Sequence, residues 1–421
     1  MHRCRRSADQ GWHASWPRGS AVVALTLPAR LEGGAAVAGS GSVDVAQRRA
    51  ARASRHTGAA GSPARSVHHP TMVAIRARGT VGPRIGAAVG GVLVLVLSAC
   101  GGDGGGSAAA GTTGASTAAP VELPEAEDVT GLPGAIPGEP FPDFALALDD
   151  VVWISGVEPG IVGYDAVTGE QRAAAETSDV MLAMDAGFGA LWAVEASDGQ
   201  YPDTVLRIDP AAGEVTARIP APEPGVLPES SLAVTEDAVW ALTGQFEDPE
   251  DRSLAAFDPA GGTVRDVFPA PPSAAAVRGG FGSLWISVEE GSVVRVDPTD
   301  GSTQATITTG AGSRFLTVTD DAVWVLNNVD RTVSRIDPAT DEVEATVTVS
   351  AGSIEGGDIA AGEGSVWART TEELATEVDV ETNEVVRVLG PPSGSGSVAV
   401  AGGMVWLTAH DVRTTYRVPL D

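Results

Sequence analysis

The sequence predicts an all-β fold, a seven-bladed β-propeller of four-stranded antiparallel blades, on three observations. Trp153, Trp192, Trp240, Trp285, Trp324, Trp367 and Trp406 recur at gaps of 39, 48, 45, 39, 43 and 39 residues. They share a local frame, a turn and a small residue followed by Val or Leu, as in Asp237-Ala-Val-Trp240, Gly282-Ser-Leu-Trp285, Asp321-Ala-Val-Trp324 and Gly364-Ser-Val-Trp367. The stretches between them alternate apolar and polar residues and are rich in β-branched side chains, the pattern of short half-buried strands. A repeat of roughly 40–45 residues built from such strands corresponds to one propeller blade.

Residues 314–349 show the blade in order. Arg314–Val318 reads as the inner strand, Ala322–Leu326 as the second, Thr332–Ile336 as the third and Glu342–Thr348 as the outer. Asp320-Asp321 turns the first pair, and Asp337-Pro338 turns the last, with Pro presetting φ. The second turn recurs at Asp209-Pro210, Asp258-Pro259 and Asp297-Pro298, and in altered form at Asp165 and Asp379. An Asp at that place accepts backbone N–H bonds within its own turn, so these carboxylates read as scaffold and not as metal ligands. The seventh repeat ends after a third strand near Val418. Ring closure is therefore expected from the other end of the chain, with Val121–Val129 as the candidate strand, placed at an edge because of its prolines.

The segment ahead of the repeats predicts export. Met72 is followed by Arg76, Arg78 and Arg84, then by an apolar run from Ile85 to Leu97. Such a run is too short to span a bilayer, which takes roughly 17–25 residues, and has the layout of a signal peptide. It closes on Leu97-Ser-Ala-Cys100, which resembles the lipobox of bacterial lipoproteins. That resemblance implies cleavage before Cys100 and lipid attachment to its sulfur. Residues 72–99 are then a lipoprotein signal peptide, and residues 1–71 a gene-model extension or a disordered leader. Residues 100–120, mostly Gly, Ser, Ala and Thr, form a flexible tether. The propeller spans 121–421. The expected location is the extracytoplasmic face of the cell membrane, reached through the lipid alone.

From Cys100 onward the chain has 14 Arg, no Lys and 52 acidic residues, a net charge of −38. That charge repels phosphate backbones and speaks against nucleic-acid binding. Cys100 is its one cysteine, so the exported domain rests on packing without disulfides. Nothing in the composition requires an oligomer, and a monomer is expected.

The phrases around Trp324 and Arg335-Ile-Asp-Pro338 resemble the YVTN/YncE-type β-propeller family, and also streptogramin B lyase-like propellers, over residues 144–421. The resemblance implies the propeller scaffold. Through the lyase and gluconolactonase-like relatives it also implies a metal at the centre of one face, served by histidine and acidic residues. From Cys100 on this chain has one histidine, His410.

In a propeller the loops after the second and fourth strands share one face, and loops on a rigid scaffold are where binding sites form. The two longest there hold Glu195, Tyr201 and Asp203, and Phe246, Glu247 and Arg252. Asn327, Asp330, Arg331 and Arg369 fall on the same face. Aromatic and arginine anchors dominate recognition surfaces, so these ten residues are the expected ligand-binding set, for an envelope protein or a small ligand. The enzyme alternative is a metal-dependent lyase or lactonase. It would hold Ca²⁺ or Mg²⁺ on Asp143, Asp179 and Asp358, with His410 as the candidate base. The chain has no zinc spacing, EF-hand phrase or nucleophile elbow, and binding without catalysis is the first expectation.

Overall fold

The computed structural model describes residues 122–138, 142–156, 158–196 and 202–420, with the side chains of 179–181 left out. The expectations for residues 1–71, the signal peptide 72–99, Cys100, the tether and Tyr201 lie outside the described residues.

Seven four-stranded antiparallel blades form a propeller ring. Blade five comprises Ser313–Val318, Val323–Asn327, Thr332–Asp337 and Glu342–Thr348, within one or two residues of the strands read from sequence. Blades one and two share the long strand Gln171–Gly187, which serves as the outer strand of the first and continues as the inner strand of the second. Each inner strand begins at what is called here the upper face and runs to the lower face, where a hairpin returns the chain.

All seven tryptophans lie in second strands and are at most 1% exposed. Their sequence frame has a packing partner one strand further out. The residue directly opposite is Arg207 for Trp192, Arg295 for Trp285, Arg335 for Trp324 and Arg417 for Trp406. Each guanidinium stands over its indole at 4.9–6.0 Å from the ring centroid, a cation–π arrangement. Arg295 also reaches into the next blade, donating to the Pro338 carbonyl at 2.7 Å and to Asp341 at 3.0 Å. The Arg-Ile/Val-Asp-Pro phrase therefore encodes two things, a cover for the tryptophan and a closed outer turn. In those turns Asp209, Asp258, Asp297, Asp337 and Asp379 accept backbone N–H bonds of 2.7–3.2 Å from residues two and three ahead. Such bonds favour the charged form, and they hold Asp258 and Asp379 below the ordinary carboxylate range.

Closure differs from the expectation. The outer strand of blade seven is Ile136–Pro137, paired antiparallel with Thr415 and Thr414. The expected segment instead ends as a fifth strand on blade six, where Glu127 and Asp128 run parallel to Leu389 and Gly390. The proline-rich stretch is thus a two-part clasp across the last two blades. Pro137 is tolerated because it sits on the outermost strand, where a missing N–H breaks no ladder. Arg387 grips Glu127 through three contacts of 2.8–3.1 Å. Val129, 1% exposed, is buried among Trp367, Leu389 and Tyr416. From blade seven the Trp406 indole donates to the Ala166 carbonyl of blade one at 3.2 Å, and Arg417 donates to the Val167 and Thr168 carbonyls. The first and last blades are thereby joined directly.

Candidate functional site

The upper mouth of the central channel gathers charged side chains from six blades. Asp143 enters blade one, Glu229 lies ahead of blade three's inner strand, and Glu289 follows blade four's second strand. Arg314 and Asp358 start the inner strands of blades five and six. His410 opens a short 3-10 turn after blade seven's second strand. Arg314 bridges two of the others, reaching Glu229 at 2.8 Å and Glu289 at 3.4 Å. Burial works to lower its pKa, but the two carboxylates outweigh it and the net shift is upward.

Asp143 is the electrostatic centre of this mouth. The residue is half-buried. Burial pushes its pKa up to about 6; the charges of His410 and Arg369 pull it down, and those of Glu229 and Asp358 push it further up. Asp358 is raised too, again chiefly by burial, and the hydroxyl of Ser397 hydrogen-bonds its carboxylate in partial compensation. Arg278, in the inner strand of blade four, adds its field to Asp358 above and to Asp185 below, while donating to the Ser230 and Leu232 carbonyls at 3.2 and 3.3 Å. His410 pairs through Nδ1 with Asp411 at 2.9 Å.

The expected ligand-binding residues divide by burial. Asp203, Glu247, Asp330 and Arg331 are exposed and Phe246 is half-buried, all on the upper face. Four others are buried in the scaffold, where their polar groups are taken up by protein partners. Arg369 is fully buried and donates to the carbonyls of Thr408 (3.1 Å), Gly394 (2.9 Å), Ser395 (3.3 Å) and Thr370. Burial lowers its pKa to about 10. Arg252, 6% exposed, donates to the carbonyls of Asp248 at 2.7 Å and Ala274 at 3.3 Å, bracing its own hairpin. Asn327 is fully buried and bonds Ser313, Thr332 and Ser334. Glu195, 3% exposed, accepts from the Ser178 N–H and hydroxyl at 2.9 and 2.8 Å. A signal for this was present: Arg369, Asn327 and Glu195 each stand two or three residues after a blade tryptophan, at the end of a buried run. Arg278, a lone charge in an Ala- and Val-rich inner strand, is the channel residue that the loop-centred reading passed over.

Of the three expected metal ligands, Asp143 and Asp358 share the mouth and feel each other's charge. The side chain of Asp179 is not described. Among the described residues no three His, Cys, Asp or Glu side chains are placed to hold a metal ion.

The raised Asp143 pKa sets a pH dependence. In the unfolded chain its carboxyl returns to the ordinary value near 3.8. The native state therefore binds the proton more tightly, and this group's stabilising contribution is full below pH ~4 and lost as the pH rises through about 6. Asp143→Asn should remove that slope. A melting series should show the variant gaining on the parent between about pH 4 and 6; parallel curves would place the titration elsewhere.

No protein-family model matches the chain, and no curated protein matches it. Among solved structures it is similar to U3-55K, with a TM-score of 0.56 and 10% identity over 68% of this chain and 98% of that one. It is also similar to the computationally designed Ika8 protein (TM-score 0.49, 14% identity, 65% and 82% of the two chains). The third is BamB from Moraxella catarrhalis (TM-score 0.45, 15% identity, 64% and 83%). At these identities likeness shows the fold alone: the chain is a seven-bladed β-propeller with a charged channel mouth.

Proposed function

We propose that this chain is an exported lipoprotein of YVTN/YncE type, anchored through Cys100, whose propeller is a binding module for an envelope protein or a small ligand at its upper face. The observation that carries the reading is the gathering of charge at the channel mouth, where Arg314 bridges Glu229 and Glu289 at 2.8 and 3.4 Å and charges from blades three, six and seven act on Asp143. Solvation alone needs no such meeting of charges, since exposed carboxylates are well hydrated wherever they stand. The exposed Asp203, Glu247, Asp330 and Arg331 and the half-buried Phe246 lie in loops of the same face. No helix among the described residues is long and apolar enough to cross a membrane, and the anchor proposed is the lipid.

Capture of a partner from cross-linked envelopes by the full-length chain tests the binding reading. Glu229→Gln with Glu289→Gln, and separately Phe246→Ala, should each lower capture by roughly tenfold; capture unchanged in both would refute it. Mass spectrometry of membrane-extracted protein should find the mature chain starting at a lipid-modified Cys100. A native soluble product with an unmodified N-terminus would remove the anchor.

One observation favours the lyase or lactonase as a second reading. Asp143, with its carboxyl near 6, stands in the field of His410, and a group titrating close to neutrality suits acid–base work. Calorimetry with Ca²⁺ and Mg²⁺ separates the two. Stoichiometric tight binding, together with lactone turnover lost in His410→Ala, would replace the binding module by the enzyme.

A further inference from the structure

The lower face carries a feature that the scaffold does not require. Four residues before each blade tryptophan is the hairpin joining inner and second strands. That position is Asp149, Glu236, Asp320 and Glu363 in blades one, three, five and six, and Gly402 in blade seven. In blades two and four it is Phe188 and Phe281, each followed by glycine. Both phenylalanines have left-handed backbone, with φ of 55° and 52°, as do Asp149, Glu363 and Gly402 at 53°, 51° and 64°. Gly, Asn and Asp enter that region most readily, and a bulky side chain there is an outlier. The position is left-handed in five of the seven blades, and two of those five carry a bulky aromatic residue there. Core packing does not account for the choice, because Phe188 is 40% and Phe281 37% exposed, whereas the blade tryptophans are at most 1% exposed.

The two hairpins flank that of blade three. A Cβ added to Gly187 would come within 2.4 Å of the Val234 side chain, and one on Gly279 within 2.5 Å of the Val234 carbonyl. The inner strands of blades two and four therefore both pack against the end of blade three's inner strand. The next residues of that blade form a turn with Glu236 and Asp237 exposed. The patch is formed by the lower-face hairpins of blades two, three and four in ring order, the outer two each carrying an exposed phenylalanine and the middle one the exposed Glu236 and Asp237; Asp320 and Glu363 are exposed at the same position of blades five and six.

We propose that this lower-face patch is a docking site for a protein segment that presents arginine or lysine beside apolar side chains. Charge complementarity selects that occupant. A guanidinium or ammonium gains from the carboxylates and from the faces of the two rings, and its apolar neighbours cover the rest of the aromatic surface. An anionic lipid surface or a nucleic acid would meet the same carboxylates as repulsion. The site is independent of the upper-face reading, since it lies at the other end of the channel.

The test uses the full-length chain and three fluorescent synthetic peptides of equal length, alternating Arg with Leu, Arg with Ser, and Glu with Leu. Anisotropy should show the Arg/Leu peptide binding at least roughly tenfold more tightly than either control. Phe188→Asn with Phe281→Asn, and separately Glu236→Gln with Asp237→Asn, should each weaken it by a similar factor, and the acidic pair should also flatten its salt dependence. Asn accepts the left-handed backbone, so the Phe double variant should melt no lower than the parent. Three results would overturn the proposal: Arg/Leu binding no tighter than Arg/Ser, binding within about twofold of the parent in both variants, or preference for phosphatidylglycerol vesicles over the peptide. A drop in melting temperature beyond roughly 5 °C in the Phe double variant would mark the rings as packing residues and overturn it too.

Discussion

Deleting residues 131–138 is expected to open the ring and lower the melting temperature by roughly 10 °C or more, on a scale of about 2–4 °C per kcal/mol. The deletion removes the outer strand of blade seven, leaving Thr414–Pro419 as an unprotected edge. It also removes the Gly138 N–H bond to the Arg413 carbonyl, 3.0 Å, and the packing of Ile136 against the blade-seven and blade-one cluster around Trp406. An exposed edge strand templates pairing with another chain, so the deletion should aggregate as well as melt early. Deleting 122–130 should act differently. It takes away Val129 and the Glu127–Arg387 pair but leaves the four strands of blade seven in place. A side chain of that size contributes about 1.5–3 kcal/mol on burial, which sets the scale of the loss. Calorimetry of the two deletions decides between closure at 136–137 and closure at 127–128: equal losses without aggregation in either would refute the clasp as described.

Arg369→Met should cost about 3–5 kcal/mol, the range for breaking a buried charged network by removing one member. Methionine keeps much of the volume but donates no hydrogen bond, so the Thr370, Gly394, Ser395 and Thr408 carbonyls lose a shared donor between blades six and seven. The loss should depend on pH. Arg369 also offsets the charges of Asp143, Asp358 and Asp411; without it the ionised Asp143 becomes more costly, and the damage grows as the pH rises through about 6. Arg369→Lys should recover only part of the stability, because an ammonium cannot reproduce the planar fork that serves several carbonyls at once. Denaturation at pH 5 and pH 8 checks the sign. A larger deficit at pH 5 than at pH 8 would contradict the coupling to Asp143.

The sequence by itself determined the fold class, the number of blades and the role of each tryptophan. Those properties follow from local rules repeated seven times: period-two alternation, β-branched strands, and Asp-Pro turns whose carboxylates satisfy their own N–H groups. Blade five illustrates it, with Glu342–Thr348 matching the observed outer strand residue for residue. Tertiary structure alone decided which polar residues stay exposed and which are buried in the scaffold. Arg252, Asn327 and Arg369 stand in or beside loops by sequence. Their burial depends on where a neighbouring blade's carbonyls lie, as with Thr408 for Arg369 and Ala274 for Arg252, and those partners come from 39 and 22 residues away. Closure had the same character. Both 127–128 and 136–137 are short edge-tolerant segments, and only the meeting of the chain's two ends distinguishes a fifth strand on blade six from the missing strand of blade seven. The Asp143 carboxyl is the sharpest case. Its shift to about 6 arises from burial and from charges on blades three, six and seven, and no window of sequence around residue 143 contains them.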